Sequence, residues 1–132
     1  MLKLNLKSKI HKAVSIALIS AGFIPASHAV ETNVNINNPT GTTIADDPIA
    51  VTLNNGASFT VDNDGTISGT ATADNARGIN ALNTTTITNL TNTDTISGTA
   101  GNILGEGISL LSNSTITNLT NTGTISGSAG DV

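Results

Sequence analysis

A repeat of constant length constrains this chain more than anything else in it. Thr86-Ile87-Thr88-Asn89-Leu90-Thr91-Asn92-Thr93-Asp94-Thr95-Ile96-Ser97-Gly98 returns 29 residues later as Thr115-Ile116-Thr117-Asn118-Leu119-Thr120-Asn121-Thr122-Gly123-Thr124-Ile125-Ser126-Gly127. The only change is Asp94 to Gly123. The flanks keep the offset: Gly78 and Ile79 match Gly107 and Ile108, and Leu82 matches Leu111. An older copy lies a further 29 residues back, where Val61, Asn63, Gly65, Thr66, Ile67, Ser68 and Gly69 align with Leu90, Asn92, Asp94, Thr95, Ile96, Ser97 and Gly98, and Leu53 with Leu82. The units are 50–78, 79–107 and an incomplete 108–132, preceded by a cap or lead-in over 30–49. Self-similarity at a fixed period marks a solenoid or an array.

The interior of one unit identifies the element type. Ile79–Leu82, Thr86–Thr91 and Thr95–Ser97 are β-prone runs separated by Asn83-Thr84-Thr85, Asn92-Thr93-Asp94 and the Gly98–Gly107 stretch. Short runs of β-branched residues bounded by Asn, Asp and Gly read as strands and turns. Three strands per coil at constant length predict an all-β fold, a right-handed parallel β-helix with coils of about 29 residues. Each coil would lie about 4.8 Å above the last. Ile67, Ile96 and Ile125 then stack as one inward ladder, and Val61, Leu90 and Leu119 as another. Asn63, Asn92 and Asn121 stack at a turn, where side-chain amides bond between coils. Gly69, Gly98 and Gly127 are expected at a corner whose backbone conformation disfavours a Cβ. A disordered polar segment would have no reason to keep apolar residues in such register.

The first residues belong to a different kind of segment. Lys3, Lys7, Lys9 and Lys12 precede an apolar run from Ala13 to Ile24, and Pro25-Ala26-Ser27-His28-Ala29 follows. A basic n-region, a short apolar h-region and small residues at −3 and −1 describe a helical secretory signal peptide over 1–29. Cleavage is expected after Ala29, with Ser27 and Ala29 in the small-residue subsites and Val30 as the new terminus. The apolar run is too short for a spanning helix, which needs about 20 residues.

Once that leader is set aside, chemistry is sparse. Residues 30–132 keep one cation, Arg77, against nine acids (Glu31, Asp46, Asp47, Asp62, Asp64, Asp74, Asp94, Glu106 and Asp131), a formal charge of −8. Such a segment is repelled by phosphate backbones and anionic head groups, so no nucleic acid partner is expected. It has no His, Cys, Lys, Tyr or Trp. Ser-His-Asp and Cys-His catalysis lack their base and thiol, and imidazole or thiolate metal sites lack their ligands. Paired carboxylates for glycoside hydrolysis are not suggested by acids scattered through turns. No enzyme activity, no cofactor and no metal is therefore expected.

Three smaller features have plain readings. Asp62-Asn63-Asp64-Gly65 resembles the opening of a calcium loop, but Ala73 stands where that loop needs its Glu, so an Asn-Asp-Gly turn is expected. Asn83, Asn89, Asn113 and Asn118 begin N-x-[ST] sequons, which a Thr/Asn-rich repeat produces by chance. Arg77 reads as a solvated corner residue.

A signal-type leader, a cysteine-free acidic body and units of the form Gly107-Ile108, Leu111, Ile116-Thr117-Asn118-Leu119-Thr120-Asn121-Thr122-Gly123-Thr124-Ile125-Ser126-Gly127 together resemble the passenger region of bacterial autotransporters (type V secretion), including adhesin-like members. The resemblance covers the leader and roughly 50–132. It implies export across the inner membrane by the secretion machinery, passage through the periplasm, and display at the cell surface or release. It also implies a C-terminal outer-membrane barrel, which no part of 1–132 supplies. Val132 aligns with Ile103 in mid-loop, so a fragment or a truncated frame is expected. The leading role is a structural stalk and adhesive surface facing host-cell or bacterial ligands. Alternatives are the spacer coils of an enzyme-bearing passenger and a two-partner-secreted filament; the leader counts against a phage fibre. Self-association through open solenoid ends is expected too, because an unpaired strand edge is a template for another chain.

Overall fold

The computed structural model describes residues 30–32, 34–54 and 56–130. The leader, including Ser27 and Ala29, lies outside the described residues, and Val30 opens the first strand. The described elements are all strands: β1 (Val30–Thr32), β2 (Ile36–Asn38), β3 (Thr43–Asp46), β4 (Ile49–Leu53), β5 (Ser58–Asn63), β6 (Thr66–Ala71), β7 (Ala76–Ala81), β8 (Thr86–Asn92), β9 (Thr95–Ala100), β10 (Gly105–Leu110), β11 (Thr115–Asn121) and β12 (Thr124–Ala129).

Every third strand pairs, always in parallel. The first sheet is β1-β4-β7-β10, the second β2-β5-β8-β11 and the third β3-β6-β9-β12. The chain is thus a β-solenoid whose four rungs stack over about three turns. Between the last two rungs the offset is 29 in all three sheets, as in Ile79↔Ile108, Leu90↔Leu119 and Ile96↔Ile125. Parallel stacking satisfies the backbone between rungs, and the turns follow suit: Thr93 N donates to Asn63 O at 2.9 Å and Thr122 N to Asn92 O at 2.9 Å.

Alternation fills the core. In β6 and β9 the pattern Thr-Ile-Ser-Gly-Thr-Ala buries every second residue. Ile44, Ile67 and Ile96 form one inward column with Ile125 packed against it; Ile36, Val61 and Leu90 form another. Phe59 and Ile87 stack in the second sheet, and Val51 and Ile79 in the first. Each fully buried aliphatic side chain contributes about 1.5–3 kcal/mol relative to exposure.

Four details differ from the sequence reading. The strands are longer than the β-prone runs, because the inter-rung hydrogen bonds carry Gly98 and Thr99 along with their neighbours. Gly69, Gly98 and Gly127 therefore lie inside β6, β9 and β12 rather than at a corner. What excludes a side chain there is proximity, since a Cβ on Gly98 would meet the backbone carbonyl of Ala76 at 2.5 Å and that of Glu106 still closer.

The register of Leu53 also differs. It pairs with Ala81 rather than Leu82, because an irregularity between Phe59↔Ile87 and Thr60↔Asn89 places Thr88 as an extra residue in β8. Thr88 Oγ1 donates to Phe59 O at 2.9 Å. Finally, the lead-in over 30–49 supplies the first rung, with shorter offsets such as Ile36↔Val61 and Ile44↔Ile67.

Candidate functional site

Stacking in fixed register turns each polar position into a row, and the rows are where this molecule has chemistry. The innermost row is amide. Asn63, Asn92 and Asn121 end β5, β8 and β11, just before the turn, and Asn38 at the end of β2 extends them to four. Asn38 Nδ2 donates to Asn63 Oδ1 at 2.6 Å, Asn63 Nδ2 to Asn92 Oδ1 at 2.6 Å, and Asn92 Nδ2 to Asn121 Oδ1 at 2.7 Å. The second hydrogen of each amide reaches a strand carbonyl of the next rung, Thr66 O, Thr95 O or Thr124 O, each at 3.1 Å. Thr42 Oγ1 closes the lower end on Asn38 Oδ1 at 2.6 Å.

Asn38, Asn63 and Asn92 are 0–1 % exposed. A buried amide left unbonded costs about 1–3 kcal/mol, so Asn above Asn is the arrangement that avoids the penalty. The row is a register lock in the core, not a ligand site. Asn38 was missed in the sequence because its spacing to Asn63 is 25, not 29.

The outer faces carry hydroxyl rows. On the third sheet Thr66, Thr95 and Thr124 form one column, Ser68, Ser97 and Ser126 a second, and Thr70, Thr99 and Ser128 a third. Neighbouring rungs are about 4.8 Å apart and alternate residues along a strand roughly 6.6 Å. No charged residue interrupts these columns, and Ser97 Oγ donates to Ser68 Oγ at 3.2 Å. The second sheet is more mixed: Asn118 Nδ2 donates to Asn89 Oδ1 at 3.0 Å, while Asp62 shares its column with Thr91.

The lone cation is not a solvated corner residue. Arg77 lies in β7, and its Nε donates to Glu106 Oε2 at 2.7 Å, with side-chain exposures of 15 % and 29 %. The partners are 29 residues apart, so the same offset that found the ladders could have found the pair. The Asp62-Asn63-Asp64-Gly65 segment does not converge on a point. Asn63 faces the core, while Asp64 Oδ1 accepts from Thr93 Oγ1 at 2.7 Å. Among the described residues no three His, Cys, Asp or Glu side chains gather as a metal site.

The sequons divide into two kinds. Asn83 and Asn113 sit at exposed turns with φ of 54° and 61°, whereas Asn89 and Asn118 stack on strands. The Thr85 hydroxyl in the Asn83 sequon is buried and donates to Leu82 O at 2.5 Å.

Comparison with known proteins found no matching family model, no matching curated protein and no matching solved structure.

Proposed function

We propose that this chain is a non-catalytic, exported passenger segment of an autotransporter, acting as a structural stalk and an adhesive surface. The observation that carries this reading is the third sheet's outer face, where stacked Thr and Ser columns run through the three rungs of β6, β9 and β12. A rigid rod that repeats one polar surface every rung presents many copies of a weak contact, and multivalency converts weak contacts into avidity. The leader at 1–29, with cleavage between Ala29 and Val30, supports export. The parallel strand-to-strand crossovers favour a right-handed coil, the hand that nearly all such connections take.

The test is export of the full chain in a Gram-negative host. Terminal sequencing of the exported product should read Val30-Glu31-Thr32. A product retained in the cytoplasm with residues 1–29 intact would end the passenger reading. Cells displaying residues 30–132 fused to an outer-membrane barrel should also gain adherence to a host-cell or bacterial surface over cells displaying the barrel alone.

A further inference from the structure

The turn from β9 into β10 sets large apolar side chains on an open stretch of backbone. Gly101, Asn102, Ile103 and Leu104 are all exposed, Ile103 at 55 % and Leu104 at 45 %. The ends of the turn are held, since Gly101 N donates to Ala71 O at 2.7 Å and Ala76 N to Leu104 O at 2.9 Å. Between them, the amides and carbonyls of Asn102 and Ile103 bond to no group among the described residues. Exposed loop tips are where proteases preferentially nick a folded chain.

No other turn among the described residues combines these properties. One rung below, the equivalent Thr72-Ala73-Asp74-Asn75 lacks a large apolar residue. Leu110 and Leu119 are exposed too, but they lie within β10 and β11. Leu111 opens a tight turn: its N donates to Ala81 O at 2.9 Å, and its carbonyl accepts from Ser114 N at 3.2 Å and Ser114 Oγ at 2.7 Å. Val34 precedes Asn35, whose Oδ1 accepts from Thr60 N at 2.9 Å. Proteases directed at basic residues find no comparable entry. Arg77 is the only Lys or Arg in 30–132. It lies in β7, between β4 and β10, with its Nε on Glu106 Oε2. Cutting after it requires opening the middle of a sheet, which costs far more than opening an unbonded turn.

We propose that residues 101–104 are a processing site for an endoprotease with an apolar primary pocket. Water adds across the peptide bond before Ile103 or Leu104, leaving a new carboxylate on the lower piece and a new amine on the upper one. The nick breaks the chain and not the fold, because β10, β11 and β12 keep their parallel pairing with β7, β8 and β9. This inference stands apart from the export and adhesion reading.

The test incubates the full chain under native conditions with thermolysin, which cuts before large apolar residues, and separately with trypsin. Mass spectrometry then maps the cuts within residues 30–130. Thermolysin should cut first before Ile103 or Leu104, and the two pieces should co-elute in size exclusion until denaturant is added. Trypsin should leave the Arg77–Gly78 bond whole. Ile103→Ser combined with Leu104→Ser should slow the nick by about tenfold with unchanged circular dichroism, since apolar pockets discriminate at that level. The wild-type map decides the matter even where that variant fails to fold. The proposal is overturned if thermolysin cuts first at another turn, with 72–75 and 111–114 the nearest rivals, or makes no cut within 30–130. It is equally overturned if the folded double variant is nicked here as fast, if the pieces part without denaturant, or if trypsin cuts after Arg77 as readily.

Discussion

Strands β8 and β11 have the same sequence, Thr-Ile-Thr-Asn-Leu-Thr-Asn, and pair with each other residue for residue. Their environments are nonetheless opposite. Leu90 is 1 % exposed and Leu119 is 54 % exposed; Ile96 is fully buried while Ile125 is only partly so. Asn92 is bonded on both sides, to Asn63 and Asn121, whereas Asn121 accepts from Asn92 and donates only to Gly123 O of its own rung at 3.1 Å. Identical residues thus hold different energetic roles, because in a solenoid each rung contacts only its neighbours. Position in the stack decides what a residue contributes.

That contrast should survive substitution. Leu90→Ala is expected to destabilise the chain by about 2–5 kcal/mol through lost burial and a cavity. Leu119→Ala should cost roughly 1 kcal/mol or less, since most of its side chain is already in water. Urea titration followed by far-ultraviolet circular dichroism would measure both, and equal effects would break the comparison.

A smaller but sharper contrast is available in the amide row. Asn92→Ala removes the acceptor of one buried amide and the donor of another, at about 2–3 kcal/mol, whereas Asn121→Ala should cost about 1 kcal/mol. Amide hydrogen exchange would localise the difference, with β8 and β5 losing protection in the first variant and only β11 in the second.

Gly98→Ala and Gly127→Ala test whether close backbone approach, rather than burial, is what stack position controls. A Cβ at Gly98 meets carbonyls from Ala76 and Glu106, and one at Gly127 meets Gly105 O and the Glu106 backbone. Both substitutions should cost about 1–3 kcal/mol, so here the two rungs are expected to behave alike. A much milder Gly127 variant would show that the last rung moves aside.

The smallest effect belongs to the ion pair that joins these rungs. Glu106→Gln should cost about 0.5–1 kcal/mol, because the pair is partly exposed and screened, and the loss should shrink further in high salt. Comparing the same variant's midpoint at low and high salt checks it.

Much of this architecture was legible because the repeat writes it several times over. The stacking of Ile67, Ile96 and Ile125, and of Asn63, Asn92 and Asn121, follows from one offset applied to one alternation. The features that escaped are those that break the offset. Thr88 adds a residue to β8 and moves Leu53 onto Ala81, and the shorter strands β3 and β4 shorten the first coil and hide Asn38 and Ile44 from the period. A repeated glycine suggests a turn, whereas the crowding that requires Gly98 comes from a different sheet.

By itself the sequence determined the period, the strand-and-turn alternation and the identity of the stacked residues, since these are local and repeated. Only the tertiary structure decided which copy of a repeated residue is buried and where backbones press together. Those are properties of neighbours brought into contact by the coil, and a neighbour one coil away leaves no mark in the local sequence of the residue it covers.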